Sequence, residues 1–362
     1  MHRRSVLLNP GPVTLSERVR SALTRGDWCH REAEFATLTR EINQRLARVY
    51  PQMAEGFEAV TITGSGSAAV EGMLHAFAPV DGATLVVSNG VYGERMAAML
   101  AAQSKAHWTT QGDWLLPIDI RQVKALLNAH PQITHIATVQ HETTTGRLND
   151  LDTLGRLCKT RGLSLLVDAV SSFGAENIEP EAWNLAALAA TANKCLHGAP
   201  GLSFVLARAD CWRADSAATS VYLDLHRYHR AQHGDGFSPF TQAVQVAFAL
   251  SETLAELEDE GGWLERRRSY SRRAGVIADT MHAAGVEPLL PNGACSAVLR
   301  AWKLPSYLSY EQLHDRLKSQ GIVIYAGQGN LQEQVFRIAH MGDIDGELDH
   351  VKRVLSECLR AP

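Results

Sequence analysis

The sequence predicts an α/β fold built on a mostly parallel sheet, because short apolar segments alternate with helix-like segments along most of the chain. Apolar strands that alternate with helices are typical of a parallel sheet with helices on both faces. The seven predicted strands are 59–63, 84–88, 106–110, 135–139, 165–168, 186–190 and 202–207. The predicted helices are 68–77, 93–102, 119–129, 151–161 and 241–259, the last of which ends at a Gly-Gly pair that favours a helix stop.

The last hundred residues predict a second, smaller α+β domain. Its predicted elements are strands near 296–301, 322–325 and 335–339 and helices near 264–284, 309–320 and 343–359. We therefore expect an N-terminal segment at 1–20 that packs with the small domain, a large domain at 21–260 and a small domain at 261–362.

The composition limits the possible partners. The chain has 362 residues, 45% of them hydrophobic and 20% charged, and its net charge of −4 gives no overall basic surface for nucleic acid. Five arginines between Arg266 and Arg273 are expected on a solvated helix face. No apolar run approaches the roughly 20 residues that span a bilayer. The six scattered cysteines lack metal-ligand spacing, which predicts reduced thiols, a cytoplasmic location and no metal site.

Lys194 and Asp168 form the most informative pair in the sequence. Asp168 ends the apolar segment Leu-Leu-Val-Asp (165–168), and Lys194 lies in Thr-Ala-Asn-Lys-Cys-Leu-His-Gly (191–198). A lysine that loses its proton on burial can form a Schiff base with pyridoxal phosphate, and a strand-end carboxylate can pair with the protonated pyridine nitrogen. A surface lysine and a helix-capping aspartate are the alternative, but the small residues around both positions leave room for a ligand.

Two loops that follow predicted strands could hold other parts of such a cofactor. Gly-Ser-Gly-Ser (64–67) stands between a strand and a helix, where glycines and free N–H groups suit a phosphate. A serine N-cap on an ordinary helix is the alternative. Tyr92, in Asn-Gly-Val-Tyr-Gly (89–93), could stack on a flat ring or serve only for packing.

A threonine-rich loop and an apolar-flanked arginine add further candidates. The loop His-Glu-Thr-Thr-Thr-Gly (141–146) is either a hydrogen-bonding loop or a plain turn, and it stands at the strand edge where ligands of open α/β sheets collect. Arg337 lies between Phe336 and Ile338, and a buried arginine needs an anion. That anion could be a substrate carboxylate or phosphonate, or an internal acid.

In this order, the motifs resemble those of class V pyridoxal-phosphate aminotransferases, which have fold type I. The resemblance extends from Asn-Pro-Gly-Pro (9–12) to Arg337. The matching segments are 63–71, 87–93, 141–146, 167–174, 192–201, 221–225 and 322–327. Within the class, the chain is most similar to members that convert 2-aminoethylphosphonate and pyruvate into phosphonoacetaldehyde and alanine, or run the reverse reaction. Alanine–glyoxylate and serine–pyruvate aminotransferases of the same class are the alternative.

The resemblance implies which residues bind the cofactor. It makes Lys194 the Schiff-base lysine and proton carrier, and Asp168 the partner of the pyridine nitrogen. The other implied contacts are Ser65, Gly66 and Ser67 at the phosphate, Tyr92 over the ring, and Thr143 with nearby Asn193 at the ring hydroxyl. Thr241 matches a threonine that reaches the cofactor phosphate of the neighbouring subunit, which implies a homodimer with shared active sites.

The resemblance also implies how the amino donor and the 2-oxo acid acceptor bind. Arg337 would bind the anionic end of the substrate, helped by the backbone near Gly11. Ile-Ala-His-Met-Gly (338–342) replaces the usual Ile-Gly-Asn-x-Gly, which places His340 near this arginine. Residues 29–32 resemble the His-Arg segment of other class V enzymes, so His30 and Arg31 are candidates for a second anion contact.

Overall fold

The structure is a computed structural model that describes residues 5–214, 216 and 219–360. The first four residues of the predicted N-terminal segment and the last two of the predicted small domain lie outside the described residues. The strands are β1 (Val6–Leu7), β2 (Phe57–Thr63), β3 (Ala83–Val87), β4 (His107–Thr109), β5 (Ile133–Val139), β6 (His141–Glu142), β7 (Arg147–Leu148), β8 (Ser164–Asp168), β9 (Leu185–Thr191), β10 (Leu202–Arg208), β11 (Leu299–Lys303), β12 (Ile322–Val323), β13 (Tyr325–Ala326) and β14 (Val335–Ala339).

Helices cover both faces of the main sheet and the C-terminal part. They are α1 (Glu17–Ala22), α2 (Ala33–Arg48), α3 (Gly66–Phe77), α4 (Val91–Ala102), α5 (Ile120–Ala129), α6 (Leu151–Arg161), α7 (Leu225–Gly234), α8 (Val244–Asp259), α9 (Trp263–Ala283), α10 (Tyr310–Ser319) and α11 (Leu348–Cys358). Within the described residues, none of these helices is long and apolar enough to cross a bilayer.

The main sheet has seven strands in the order β2-β10-β9-β8-β5-β3-β4. β10 is antiparallel to both of its neighbours, and all other neighbouring strands are parallel. The predicted mostly parallel seven-stranded sheet is therefore confirmed. Two large apolar clusters lie against the sheet, and alternate residues of its strands belong to one cluster or the other, because successive side chains of a strand point to opposite faces.

The strand directions bring five connecting loops to one edge of the sheet. β3, β5, β8 and β9 run in the same direction, and β2 joins them because it and β9 are both antiparallel to β10. Asp168 is the last residue of β8, and the segments that follow the other four strands carry the glycine-serine loop, Tyr92, the threonine-rich loop and Lys194. In open α/β sheets, this carboxyl edge is where ligands bind.

The C-terminal third adds a three-stranded antiparallel sheet with the order β11-β14-β13. β1 pairs in parallel with β12 and joins Val6 to Ile322. Val6 and Leu8 belong to the same apolar cluster as Leu313 of α10 and Val351 of α11. The N-terminal strand therefore packs on the C-terminal part, while the exact domain boundaries stay a prediction.

The prediction that the five arginines of α9 lie on a solvated face is wrong for two of them. Arg266 and Arg273 are buried. Arg266 donates to the carbonyl oxygens of Cys195 and Leu196 at 2.9 and 3.1 Å, and Arg273 donates to that of His340 at 2.8 Å. A charge run seen in sequence does not reveal these backbone acceptors, which come from distant segments. Through them, α9 holds the loop after Lys194 and the segment after β14.

Three helices were not predicted, and the starts of α8 and α11 differ from the sequence prediction. The helices without a prediction are α1, α2 and α7, although Phe35, Leu38, Ile42 and Leu46 follow the helical spacing that buries one face of α2. α11 begins at Leu348 rather than near 343. α8 begins at Val244 rather than at 241, because Ala243 has a non-helical backbone conformation as the N-cap residue. Its N–H donates to Thr63 Oγ1 at 3.1 Å. Thr241 consequently lies in the connecting segment before α8.

A pair of glycine-to-alanine variants tests the packing of α6 against the segment that precedes β9. Gly155 lies within α6, and a Cβ there would come within 2.8 Å of Trp183 Cδ1, so Gly155→Ala should lower the free energy of unfolding by about 1–3 kcal/mol. Gly275, inside α9, has no heavy atom within 4 Å of the added Cβ. Gly275→Ala should therefore raise the free energy of unfolding by about 0.5–1 kcal/mol, because alanine is preferred over glycine inside a helix. Urea unfolding of both variants measures the difference, and equal effects would contradict the described packing.

Candidate active site

Lys194 lies in the turn after β9 with its side chain against the N-terminal segment. Its Nζ donates to the carbonyl oxygen of Pro10. Gly11 has a φ of +117°, and a Cβ on it would lie 2.6 Å from Lys194 Cδ and 2.7 Å from Nζ. Glycine is therefore required at position 11 for two reasons, the left-handed backbone and the close approach of the lysine.

The surroundings of Lys194 lower the pKa of its amine to about 8. Burial is the main cause because it penalises the ammonium form, and the positive charge of Arg337 acts in the same direction. Cys195 and Asp168 oppose the shift. A much larger fraction of this amine is unprotonated near neutral pH than for an exposed lysine, which is the state that attacks an aldehyde.

Asp168 ends β8 and is 6% exposed. Its Oδ1 accepts a hydrogen bond from the backbone N–H of Val170 at 2.9 Å. Burial raises the pKa of the carboxyl to about 6, against the lowering effects of the Val170 N–H, Arg95 and Lys194. A buried carboxylate in this state is stabilised by a cationic hydrogen-bond donor, such as a protonated ring nitrogen.

The glycine-serine loop lies next to the turn that follows Asp168. Ser65 is the N-cap of α3, is exposed, and makes no side-chain capping hydrogen bond. A Cβ on Gly66 would come within 2.8 Å of Val170 Cγ1, so glycine lets the first turn of α3 approach this turn. The N–H groups of a helix's first turn have no intrahelical partner and favour an anion. The loop therefore offers an anion site a short distance from Asp168.

A cavity between α3, α4 and the end of β8 contains several predicted cofactor residues. Its lining includes Ser67, Tyr92, Arg95, Asp168 and Val170. The guanidinium carbon of Arg95 lies 4.8 Å from the centre of the Tyr92 ring, and its Nη1 donates to Ser67 Oγ at 3.3 Å. Sequence analysis missed Arg95, although it stands three residues after Tyr92 and so shares a helix face with it.

Arg337 lies on β14 and reaches the threonine-rich loop. It is 3% exposed. Nε donates to the carbonyl oxygen of Ala326 at 2.8 Å, and Nη1 donates to that of Thr143 at 3.1 Å and to Gln328 Oε1 at 3.0 Å. Burial lowers the pKa of this guanidinium from its usual value. Among the described residues, no hydrogen bond engages Nη2, so this nitrogen can donate to a ligand.

Glu142 is a second group of the site to which sequence analysis gave no role. It is fully buried, and its Oε1 accepts from the Thr144 N–H at 3.1 Å and from the Thr144 hydroxyl at 2.6 Å. Burial raises the pKa of this carboxyl to about 7, and the nearby charge of Asp168 adds to the effect. In the part of the chain described, its Oε2 has no hydrogen-bond partner, and such buried atoms are normally satisfied by water or a ligand.

The remaining predicted residues lie in different surroundings. Asn193 Oδ1 accepts from the Thr191 hydroxyl at 2.9 Å, and Thr241 and Arg31 are exposed. His30 is partly buried, and its Nε2 has no partner among the described residues. None of these contacts tests the predicted roles.

His340 is fully buried behind the site, in the segment that follows Arg337. Its Nδ1 lies 2.8 Å from the carbonyl oxygen of Ala297, which requires the proton on Nδ1. Burial lowers the pKa of the imidazole to about 3, so it is neutral at physiological pH. The geometry therefore leaves His340 no free donor for an anion, and its predicted contact with substrate gains no support.

Taken together, the residues fit pyridoxal phosphate. The site combines an amine of lowered pKa, a buried strand-end carboxylate, a helix N-terminus with two serines and an aromatic ring. Ser67, Tyr92 and Asp168 line one cavity. Gly11 and Gly66 keep the backbone clear where any larger residue would clash. Each of these groups matches one part of the cofactor. The amine matches the aldehyde, the carboxylate matches the pyridinium nitrogen, the helix N-terminus matches the phosphate, and the aromatic side chain matches the flat ring.

Comparison with known families agrees with this geometry. The sequence profile described as aminotransferase class-V matches residues 23–263. The chain belongs to the class-V aminotransferase family. Enzymes of this family depend on pyridoxal phosphate, which is accordingly the cofactor of this aminotransferase.

Individual relatives match nearly the whole chain. The 2-aminoethylphosphonate–pyruvate transaminase of Aeromonas hydrophila is 37% identical over 347 residues, covering 94% of this chain and 90% of that enzyme. The transaminase of the same name from Pseudomonas aeruginosa is 33% identical over 363 residues, covering 99% and 97%. The alanine–glyoxylate aminotransferase of Nostoc sp. superposes with a TM-score of 0.90 at 24% identity, covering 99% and 96%, which shows the shared fold.

Replacement of Gly11 tests the contact between the lysine and the N-terminal segment. Gly11→Ala places a methyl group against the Lys194 side chain, so we expect the purified protein to lose most of its covalently bound cofactor. Gly285→Ala is the control, because Gly285 also has a positive φ (+72°) but nothing lies within 4 Å of its Cβ. Absorbance of the Schiff base measures occupancy in both. Full occupancy in Gly11→Ala would show that the described contact does not constrain the lysine.

The pH dependence of cofactor capture tests the electrostatics of Lys194. Capture by the cofactor-free enzyme should accelerate as pH rises through about 8, because the neutral amine is the reactive form. Arg337 helps to lower the pKa of this amine. Arg337→Gln should therefore raise the pKa and move the midpoint to higher pH. Arg121→Gln, which alters an exposed arginine, should leave it in place. An unchanged midpoint in Arg337→Gln, or one at lower pH, would refute the assigned coupling.

Proposed function

We propose that this enzyme converts 2-aminoethylphosphonate and pyruvate into phosphonoacetaldehyde and alanine, and that it also catalyses the reverse reaction. The structural observation that carries the proposal is the buried Arg337, which contacts Thr143 beside the cofactor loops and keeps donors on Nη2. The near-full-length similarity to two transaminases named for this reaction supports the same substrates.

Lys194 would carry the proton that the reaction moves. Bound pyridoxal phosphate supplies an electron sink that stabilises the charge left when the donor carbon is deprotonated. An amine with a pKa of about 8 accepts a proton and returns it at neutral pH with little cost in either direction. Asp168 keeps a carboxylate at the end of β8, where it would hold the ring nitrogen in its protonated form.

Arg337 would bind the phosphonate or carboxylate end of each substrate. Gln328 Oε1 lies 3.0 Å from Nη1 and marks a position where an oxygen of the ligand can accept a hydrogen bond. Nη2 offers further donors beside it, and two neighbouring nitrogens of a guanidinium match two oxygens of a phosphonate or a carboxylate. A ligand that takes both positions would displace the Gln328 amide from Nη1.

Discrimination between phosphonate and carboxylate donors needs more than Arg337. A guanidinium fork binds either anion, so additional donors must favour the larger, more highly charged phosphonate. His30 and Arg31 remain the proposed second contact. Arg31 is exposed and His30 Nε2 is unpartnered in the described chain, so both are available for a ligand or a partner subunit.

A substrate panel tests the proposed reaction. We expect kcat/KM for 2-aminoethylphosphonate with pyruvate to exceed that for alanine or serine with glyoxylate. Arg337→Lys keeps the charge but loses the fork, so it should lower kcat/KM by about 10-fold or more, since such contacts contribute roughly 1.5–3 kcal/mol. A clear preference for a carboxylate donor would replace the phosphonate assignment with an alanine–glyoxylate or serine–pyruvate activity. Wild-type kinetics in Arg337→Lys would remove Arg337 from the substrate site.

We also propose that the enzyme is a cytoplasmic homodimer that shares its active sites. Thr241 is exposed in the single chain, and it is close to an apolar surface that includes Val221, 67% exposed, and Tyr222, 40% exposed. Tyr222 packs on Phe240 and donates to the Thr63 carbonyl oxygen at 2.6 Å. This places the apolar surface beside the loop that would bind the phosphate, where a second subunit could both cover it and receive Thr241.

Sedimentation and cofactor titration test the shared site. We expect dimers at assay concentrations and, in Thr241→Ala, weaker binding of pyridoxal phosphate with an unchanged fold. Thr37→Ala, which alters an exposed helical threonine, serves as the control. A fully active monomer would exclude the shared site.

A further inference from the structure

Outside the active site, α7 and the start of β2 bring together three potential metal ligands. The side chains are Glu58, His229 and His233, and one ligand atom of each lies within 4.8 Å of the other two. His229 Nε2 is 2.7 Å from Glu58 Oε2, and the rings of the two histidines stack with centroids 4.5 Å apart. The scattered cysteines predicted no metal site, and none of these three ligands is a cysteine.

The backbone positions of these ligands are fixed by the packing of α7 on the edge of the main sheet. β2 is an edge strand, so one side of its backbone has no neighbouring strand. Gln232 of α7 forms hydrogen bonds with this side. The Gln232 amide donates to the Thr61 carbonyl oxygen at 2.7 Å, and its Oε1 accepts from the Thr61 N–H at 3.0 Å. His233 follows His229 by four positions, a spacing that places both side chains on one face of a helix.

The orientation of the rings is also constrained. The His229 imidazole stacks on the Trp212 indole with centroids 4.5 Å apart and an angle of 6°. Groups that fix the ring of a metal-binding histidine strengthen metal binding, because the side chain then loses less conformational freedom when the metal binds.

We propose that Glu58, His229 and His233 form a zinc site that fastens α7 to β2. Two imidazoles and one carboxylate are an established zinc ligand set, and water would complete the tetrahedron. His229 Nε2 faces Glu58, and His233 Nε2 lies 2.9 Å from the Ala59 carbonyl oxygen. The ion replaces the hydrogen bond in each contact, and each ring proton resides on Nδ1. The exposure of His233 gives the ion a path from solvent.

The site is separate from the cofactor. Thr63 follows Glu58 by five positions in β2, a distance of about 16 Å along an extended strand. The same strand leads into the glycine-serine loop, and the segment after α7 leads to Thr241. Zinc at this position should stabilise the frame that carries the phosphate-binding residues and leave the chemical step unchanged.

Zinc titration of the holoenzyme, prepared without a histidine tag, tests the proposal. A Cys29→Ser background removes the exposed thiol. We expect one zinc ion per subunit by calorimetry, a rise in Tm of roughly 2 °C or more at saturation, and unchanged kcat. His233→Gln and, separately, Glu58→Gln should weaken zinc binding by about 10-fold or more. His282→Gln, which alters an exposed histidine of α9, should bind zinc as the parent does.

Two results would overturn the zinc site. One is the absence of stoichiometric binding by the parent protein. The other is equal affinity in His233→Gln and the parent, which would place the ion elsewhere. His233 is exposed, so its replacement should preserve the fold, and the Tm of the zinc-free variant verifies this. Cobalt provides an independent signal, because a tetrahedral nitrogen and oxygen site gives a visible band beyond the cofactor absorbance.

Discussion

The contact between the Lys194 side chain and the backbone of Gly11 is the constraint on which the site depends. It joins the turn after β9 to a segment nearly two hundred residues earlier in the chain, and that segment continues from β1, which pairs with β12. Arg266 holds the carbonyl oxygens just beyond the lysine, and Arg273 holds the one at His340. The lysine is therefore positioned only when the main sheet, the N-terminal strand and the C-terminal part have all assembled.

Burial then gives the site its chemistry. It lowers the pKa of Lys194 and raises the pKa of Asp168 and Glu142, so the charged forms of all three are disfavoured. A cofactor that brings a protonated ring nitrogen and a phosphate supplies a cationic donor to the carboxylate and an anion to the helix N-terminus. Arg337 remains the buried cation available to an anionic substrate.

The fold was predictable because its signals are local. Apolar strands, intervening helices and the strand-end position of Asp168 are each visible in a few consecutive residues, and all appear in the structure. The site was predictable where a motif defines it, as for Lys194 and the glycine-serine loop. The burial of Arg266 and Arg273 and the contacts of Arg337 with Thr143 depend on pairings between distant segments, which no local pattern encodes. The cluster of Glu58 with His229 was not predicted for the same reason, because β2 and α7 are separated by well over a hundred residues.

The central claim is that Lys194, and no other lysine, attaches the cofactor. Borohydride reduction of the holoenzyme makes this linkage permanent, and peptide mass spectrometry then locates the pyridoxyl group. We expect the group on the peptide containing Thr191 to Gly198, in proportion to bound cofactor. A pyridoxyl group on Lys105, the other lysine whose pKa burial lowers to about 8, or on any other lysine, would contradict the account.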